Sequence, residues 1–195
     1  MRLIRRISIV LLLTCGFIFL FAQSSLAQER SPRVGEISPG ETHKIKDRIL
    51  SKNHVYAGFG PANFQNMGTS SLGYDLALGY NWETTSQAAI RTMANGLLSA
   101  DAKTTYWDAL LGLNLYLNNE DISPYLFGGL GFGIAGTNAS QATTVGGFAG
   151  ALGVGCALFR TSSTEFDILG DYHQLFANNT IGSPGFYALR IGVLF

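Results

Sequence analysis

The residues able to do chemistry fall into three sets. Asp171, His173 and Ser183 have the composition of a nucleophilic triad: a hydroxyl to attack, an imidazole to take its proton, a carboxylate to orient the ring. Asp171 and His173 are two apart, so they share one face of an extended strand, and Ser183 follows in the next loop. That is a triad in composition only, and the expectation is that no residue here is catalytic. The second set is Asp75, Glu83, Arg91, Asp108, Glu165, Asp167, Asp171 and Arg190. Gathered in one interior they would form either a paired network or a narrow path for cations, since unpaired charges are costly away from water. The third set is His43, His54 and His173 with Cys15 and Cys156, whose scattered spacing fits no metal site. No metal and no cofactor is expected.

The glycine-rich runs Gly128 to Gly133 and Gly146 to Gly155 invite comparison with phosphate-cradling loops. That fingerprint needs a helix immediately after the glycines, and the interspersed Leu, Phe and Val keep a period of two instead. Relief of crowding between coiling strands accounts for them better. Nucleic-acid binding is disfavoured: from Asn53 on there are nine acidic residues and only Arg91, Lys103, Arg160 and Arg190 against them.

The elements that must position these residues are strands. Leu72, Tyr74, Leu76, Leu78, Tyr80 and Trp82 alternate with Gly73, Asp75, Ala77, Gly79, Asn81 and Glu83. Trp107, Ala109, Leu111, Leu113, Leu115 and Leu117 alternate with Tyr106, Asp108, Leu110, Gly112, Asn114 and Tyr116, and Phe186 to Phe195 repeats the pattern with Arg190 on the polar side. Weaker members are Val55 to Ala62, Gln87 to Leu97, Tyr125 to Ala135, Val145 to Phe159 and Glu165 to Phe176, which makes eight strands. In the fifth, Tyr125 and Phe127 compete with Leu126, Leu130 and Phe132 for the outer face. Polar turns fall at Glu83 to Ser86, Asn118 to Asp121 and Arg160 to Ser163. The opposite connections are expected at Asn63 to Ser70, Leu98 to Lys103, Gly136 to Thr144 and Ala177 to Pro184.

Only thirteen of the 143 residues from Asn53 on are charged, against about 25 to 35% for a water-soluble surface. No stretch after Phe21 has the length of apolar residues that a spanning helix requires. A closed barrel is then the structure that satisfies its own backbone inside hydrocarbon. The fold expected is all-β, an eight-stranded antiparallel up-and-down transmembrane β-barrel over residues 53–195. A lipid-carrying barrel soluble in water is the rival, but it needs Lys and Glu where these strands offer Gly and Ala.

Residues 1–27 have the layout of a secretory signal: Arg2, Arg5 and Arg6, an apolar run from Ile7 to Phe21, then Ser25 and Ala27 as the small residues before a cut. A retained anchor is the alternative, and lipidation at Cys15 is disfavoured by the bulk of Leu13-Thr14 before it. Cleavage would leave Cys156 alone, with no intramolecular disulfide. Residues 28–52 mix Arg30, Arg33, Lys44, Lys46, Arg48 and Lys52 with four acids and two prolines. They read as a flexible periplasmic lead-in with a helical turn or two over Thr42 to Ser51.

Two stretches carry a family likeness. The end, Tyr187-Ala-Leu-Arg-Ile-Gly-Val-Leu-Phe195, resembles the C-terminal signal by which the barrel assembly machinery recognises its clients, with Tyr187, Leu189, Ile191, Val193 and Phe195 in the signal positions. Ser123-Pro-Tyr-Leu-Phe-Gly-Gly-Leu-Gly131 is similar to a stretch of small barrels of the outer-membrane protein A, X and W type. The resemblance covers Asn53 to Phe195 and implies an eight-stranded barrel of the cell outer membrane. It implies no activity, because such barrels include structural, adhesive, channel-like and enzymatic members. The deacylase pattern, His followed closely by Ser-Asn-Ala-Gly, is absent, as is any palmitoyl transferase motif.

The function expected is a structural or surface-interaction role with the lumen filled by the polar network. The alternatives are a narrow cation-preferring channel and, more remotely, a lipid A-modifying enzyme. The partners expected are outer-membrane lipid and lipopolysaccharide, with the assembly machinery during biogenesis, no nucleic acid, and a monomeric state.

Overall fold

The computed structural model describes residues 53–65, 72–100, 104–137, 143–177 and 183–195. The leader at 1–27 with Ser25 and Ala27, the lead-in at 28–52, and most of each long connection lie outside the described residues. The strands are β1 (Asn53–Gln65), β2 (Leu72–Thr85), β3 (Ala88–Ser99), β4 (Thr104–Tyr116), β5 (Ile122–Thr137), β6 (Thr143–Leu158), β7 (Glu165–Phe176) and β8 (Gly185–Leu194). Each pairs antiparallel with the next, and β8 pairs back with β1, so the sheet closes on itself. This is a closed, all-antiparallel, eight-stranded up-and-down barrel.

Alternation decides which side chains face out. On β2, Tyr74 is 70% exposed while its neighbour Asp75 is 2% exposed, and the contrast repeats along every strand. Among the described residues no charged side chain lies on the outward face of a strand. That face carries a belt of Leu76, Leu111, Leu130, Leu152, Val154, Ile168, Leu189 and Ile191. Aromatic rings edge it at both ends: Tyr74, Trp107, Phe148, Phe176 and Tyr187 toward the long connections, and Trp82, Phe159, Phe166 and Phe195 toward the short turns. An apolar band between two aromatic girdles is the outward surface that a bilayer demands of a barrel.

The fifth strand resolves in favour of Leu126, Leu130 and Phe132, which face out, while Tyr125 and Phe127 are buried inside. The strands also run past the expected loop boundaries: β1 reaches Gln65, β3 reaches Ser99, β5 reaches Thr137 and β6 starts at Thr143. Ladder pairing continues there because the barrel leaves each strand a neighbour on both sides, whereas hydrophobic alternation fades before the pairing does.

The three short turns are built differently. Ser86 and Gln87 close β2 onto β3, with Thr85 Oγ1 accepting from Gln87 N at 3.2 Å. In the β4–β5 turn the Ser123 hydroxyl donates to Glu120 O at 2.6 Å. The β6–β7 turn begins at Phe159, whose φ of 60° lies in the left-handed region, and Ser162 N closes it onto Phe159 O at 2.8 Å. Arg160 N donates to Asp121 O at 3.2 Å, which ties this turn to the one beside it.

Candidate functional site

Among the described residues charged groups converge in the lumen, and they do so in tiers. Nearest the short turns, Arg160 Nη2 pairs with Glu83 Oε2 at 2.9 Å and its Nη1 donates to Asn118 O at 3.2 Å. Its guanidinium lies 3.4 Å from the centre of the Tyr116 ring. Arg160 was expected in a polar turn at the surface, yet it is 1% exposed. The left-handed Phe159 and the bond to Asp121 turn the chain so that residue 160 points back into the barrel. Glu165, also 1% exposed, lines this tier with neither carboxylate oxygen hydrogen-bonded.

The middle tier is centred on Arg91, which is fully buried. Its Nη1 pairs with Asp167 Oδ2 at 3.0 Å, and Tyr125 donates its hydroxyl to the other oxygen of Asp167 at 2.7 Å. Asn114, its amide oxygen turned toward Arg91, accepts from Nε and Nη2 at 3.1 Å each. The rings of Tyr56 and Tyr125 flank the guanidinium at 4.7 and 5.5 Å, so the cation is held by carboxylate, amide and π-faces together.

The third tier joins five strands. Arg190 on β8 pairs with Asp75 on β2 through Nε and with Asp171 on β7 through Nη1 at 2.6 Å. His173 stands between two carboxylates, with Nδ1 at 2.7 Å from Asp108 and Nε2 at 2.9 Å from Asp171. Asn95 on β3 donates to the remaining oxygen of Asp108 at 2.5 Å. The Phe186 ring stacks on the imidazole at 4.3 Å.

Beyond that tier, toward the long connections, the interior changes character. Phe64, Leu97, Tyr106, Ala135, Val145, Leu175 and Phe186 are all buried there, with Tyr106 meeting Phe186 edge-on at 4.8 Å. The sequence suggested a lumen polar along its length; the structure has charged tiers from the short turns to past mid-strand, and beyond them a mainly apolar layer with Ser99 and Thr104 at its margin. Inward Phe and Leu carry no mark distinguishing them from the outward Phe and Leu of the belt, so alternation alone could not find this layer.

All eight charged residues expected inside are buried: Asp75, Glu83, Arg91, Asp108, Glu165, Asp167, Asp171 and Arg190. Arg160 and His173 join them. His173 has the composition of a triad member with Asp171 and Ser183, but it is 0% exposed and both ring nitrogens are engaged by carboxylates. Ser183 lies in the connection before β8, where its carbonyl accepts from Gln174 at 2.8 Å. The geometry therefore gives the imidazole no free nitrogen with which to activate a hydroxyl. Among the described residues no cluster of His, Cys, Asp and Glu is arranged to hold a metal ion. The terminal residues Tyr187, Leu189, Ile191, Val193 and Phe195 all lie on the outward face of β8 or just past it.

This closed eight-stranded barrel with an apolar outer wall has the fold of the small outer-membrane barrels. No family model matches the sequence and no curated protein matches it. Among solved structures, Neisserial surface protein A is similar with a TM-score of 0.63 at 12% identity, over 73% of this chain and 95% of that one. Ail, the attachment invasion locus protein of Yersinia pestis, aligns at 18% identity over 73% and 97% of the two chains with a TM-score of 0.47. The outer membrane enzyme PagL aligns at 15% identity over 71% and 97% with a TM-score of 0.48. At such identities the likeness is one of fold.

Proposed function

We propose that this chain is a structural barrel of a Gram-negative-type outer membrane, reached by way of the cleaved leader, whose lumen is sealed by its own side chains. The observation that carries the reading is the stacking of an apolar layer on three tiers of paired charge. An eight-stranded lumen is just wide enough for side chains to fill. An ion entering from the long-connection end would meet Phe64, Leu175 and Phe186 before any charged group, and a hydrophobic constriction of this kind excludes water. From the other end it would meet Arg160 locked to Glu83.

The work of such a barrel lies on its outside. Its partners are the acyl chains around the belt and the lipopolysaccharide of the outer leaflet. Arg91, Arg160 and Arg190 are turned inward, so the apolar belt, rather than a basic patch on the strands, makes the lipid contact. The connections at 66–71, 100–103, 138–142 and 177–184 are short, which suits an envelope component better than a broad adhesin. A monomer fits the closed sheet, which has no free edge to share.

One observation favours a second reading. Glu165 offers a buried carboxylate with no hydrogen-bond donor near the short-turn end, which is what the inner mouth of a narrow cation path would present. Recording from the purified protein in planar bilayers separates the two. The sealed barrel gives a silent membrane, and steady cation-selective steps would contradict it. The enzymatic reading is tested apart: lipid A from cells overproducing the protein is expected to be unchanged in mass.

A further inference from the structure

The ladder that closes the barrel is broken in its middle. Along β1 and β8 the register pairs run Tyr56↔Leu194 to Phe59↔Ile191, then resume at Ala62↔Ala188 and continue to Gln65↔Gly185. Two steps are missing, Gly60 opposite Arg190 and Pro61 opposite Leu189. The other seven ladders run without such a gap apart from one shift at Glu83/Thr85.

The cause is chemical. Val55 and Phe195 exchange backbone hydrogen bonds at 2.9 and 3.1 Å, and antiparallel pairing repeats this exchange at every second residue, which brings it to Pro61 and Leu189. Proline has no N–H, so the Leu189 carbonyl loses its donor. A proline inside a sheet normally sits on an edge strand, and a closed barrel has none.

What crosses the gap is a side-chain pair. Gly60 is in register with Asp75 on β2 and stands opposite Arg190 on β8. Any Cβ at residue 60 would run into the Leu189 carbonyl carbon at 2.8 Å and the Arg190 Cα at 3.1 Å. With only hydrogen there, the Arg190 guanidinium passes over β1 and reaches Asp75 on the strand beyond. Arg190 also holds Asp171 on β7, so one residue links both flanks of the closing strands.

We propose that the Arg190–Asp75 pair is a latch for the β1–β8 seam, standing in for the backbone bond that Pro61 removes, and that this seam is where the barrel opens first. The latch is specific to this row of residues. Asp167, equally buried and paired to Arg91, lies beside no ladder break.

The test is amide hydrogen exchange on the folded full-length mature chain in detergent micelles, read on peptides covering 55–63 and 186–195. Asp75→Ala is expected to speed exchange there at least tenfold while leaving β4 and β5 unchanged. Pro61→Val, which restores the missing donor, is expected to reverse most of that gain. Asp167→Ala supplies the comparison and should not act selectively at the seam. Uniform loss of protection with Asp75→Ala, or a failure of Pro61→Val to restore the seam, overturns the proposal. Should Asp75→Ala not fold, Pro61→Val alone must slow seam exchange relative to the unaltered chain, and unaltered exchange would then overturn it.

Discussion

At the scale of single residues, the interior charges other than Glu165 stand because each has its partner. Arg91 illustrates the sign of the effect. Replacing it with Met leaves Asp167 buried without its cation, and breaking a buried pair from one side costs about 3 to 5 kcal/mol. Replacing both, as Arg91→Met with Asp167→Leu, removes the orphan along with the pair and should recover most of the loss. Urea unfolding of each variant in detergent checks the order: single far below double, double near the starting protein. How much of this was legible depends on where a residue sits. Asp75 and Arg190 could be placed inside because each interrupts a run of alternating apolar residues, and a shift by one would turn the charge to lipid. Arg160 could not, because in a turn no alternation applies and its direction follows from the φ of Phe159. His173 was assigned the right face of β7, but its depth depends on Asp108, 65 residues earlier, and no local pattern reports that distance.

At the scale of elements, each strand answers to two solvents, and the outward one is hydrocarbon. Leu130, 60% exposed on β5, is the cleanest place to test that. Leu130→Arg should cost about 2 to 4 kcal/mol of folding free energy in lipid vesicles, the cost of a cation near the bilayer midplane. In a water-facing strand the same change would be nearly neutral. The strands β2, β4 and β8 could be read from sequence because each sets charged, amide or glycine residues among its inward positions, such as Asp75, Asn81, Asp108, Asn114, Arg190 and Gly192, against an apolar outer face. The fifth had no such contrast, since Tyr125 and Phe127 go inward and their bulk is absorbed by glycines on the flanking strands: a Cβ placed at Gly112 on β4 would run into the Phe127 ring, and one at Gly155 on β6 into the Tyr125 ring. Large inward rings against small neighbours are a packing decision taken across strands, invisible along one. The terminal strand adds a biogenesis expectation. Phe195 is 61% exposed while its backbone bonds to Val55, so Phe195→Ala should keep the seam pairing yet lower the amount of barrel recovered in the outer-membrane fraction. Equal recovery would remove the terminal signal from the account.

At the scale of the whole molecule, closure, belt and filled lumen explain one another. A closed sheet pairs the backbone groups that hydrocarbon would strand, apart from the Leu189 carbonyl opposite Pro61, the belt makes hydrocarbon the right neighbour, and the small circumference leaves room inside only for side chains. The central claim is that this chain folds as a closed barrel for which an amphiphile is the solvent. The most direct measurement is gel mobility of the refolded mature protein in detergent, loaded with and without boiling. A faster band in the unheated lane that shifts to the slower unfolded position on boiling is the predicted result. Identical mobility in both lanes, from protein that stays monodisperse in plain buffer, would contradict it.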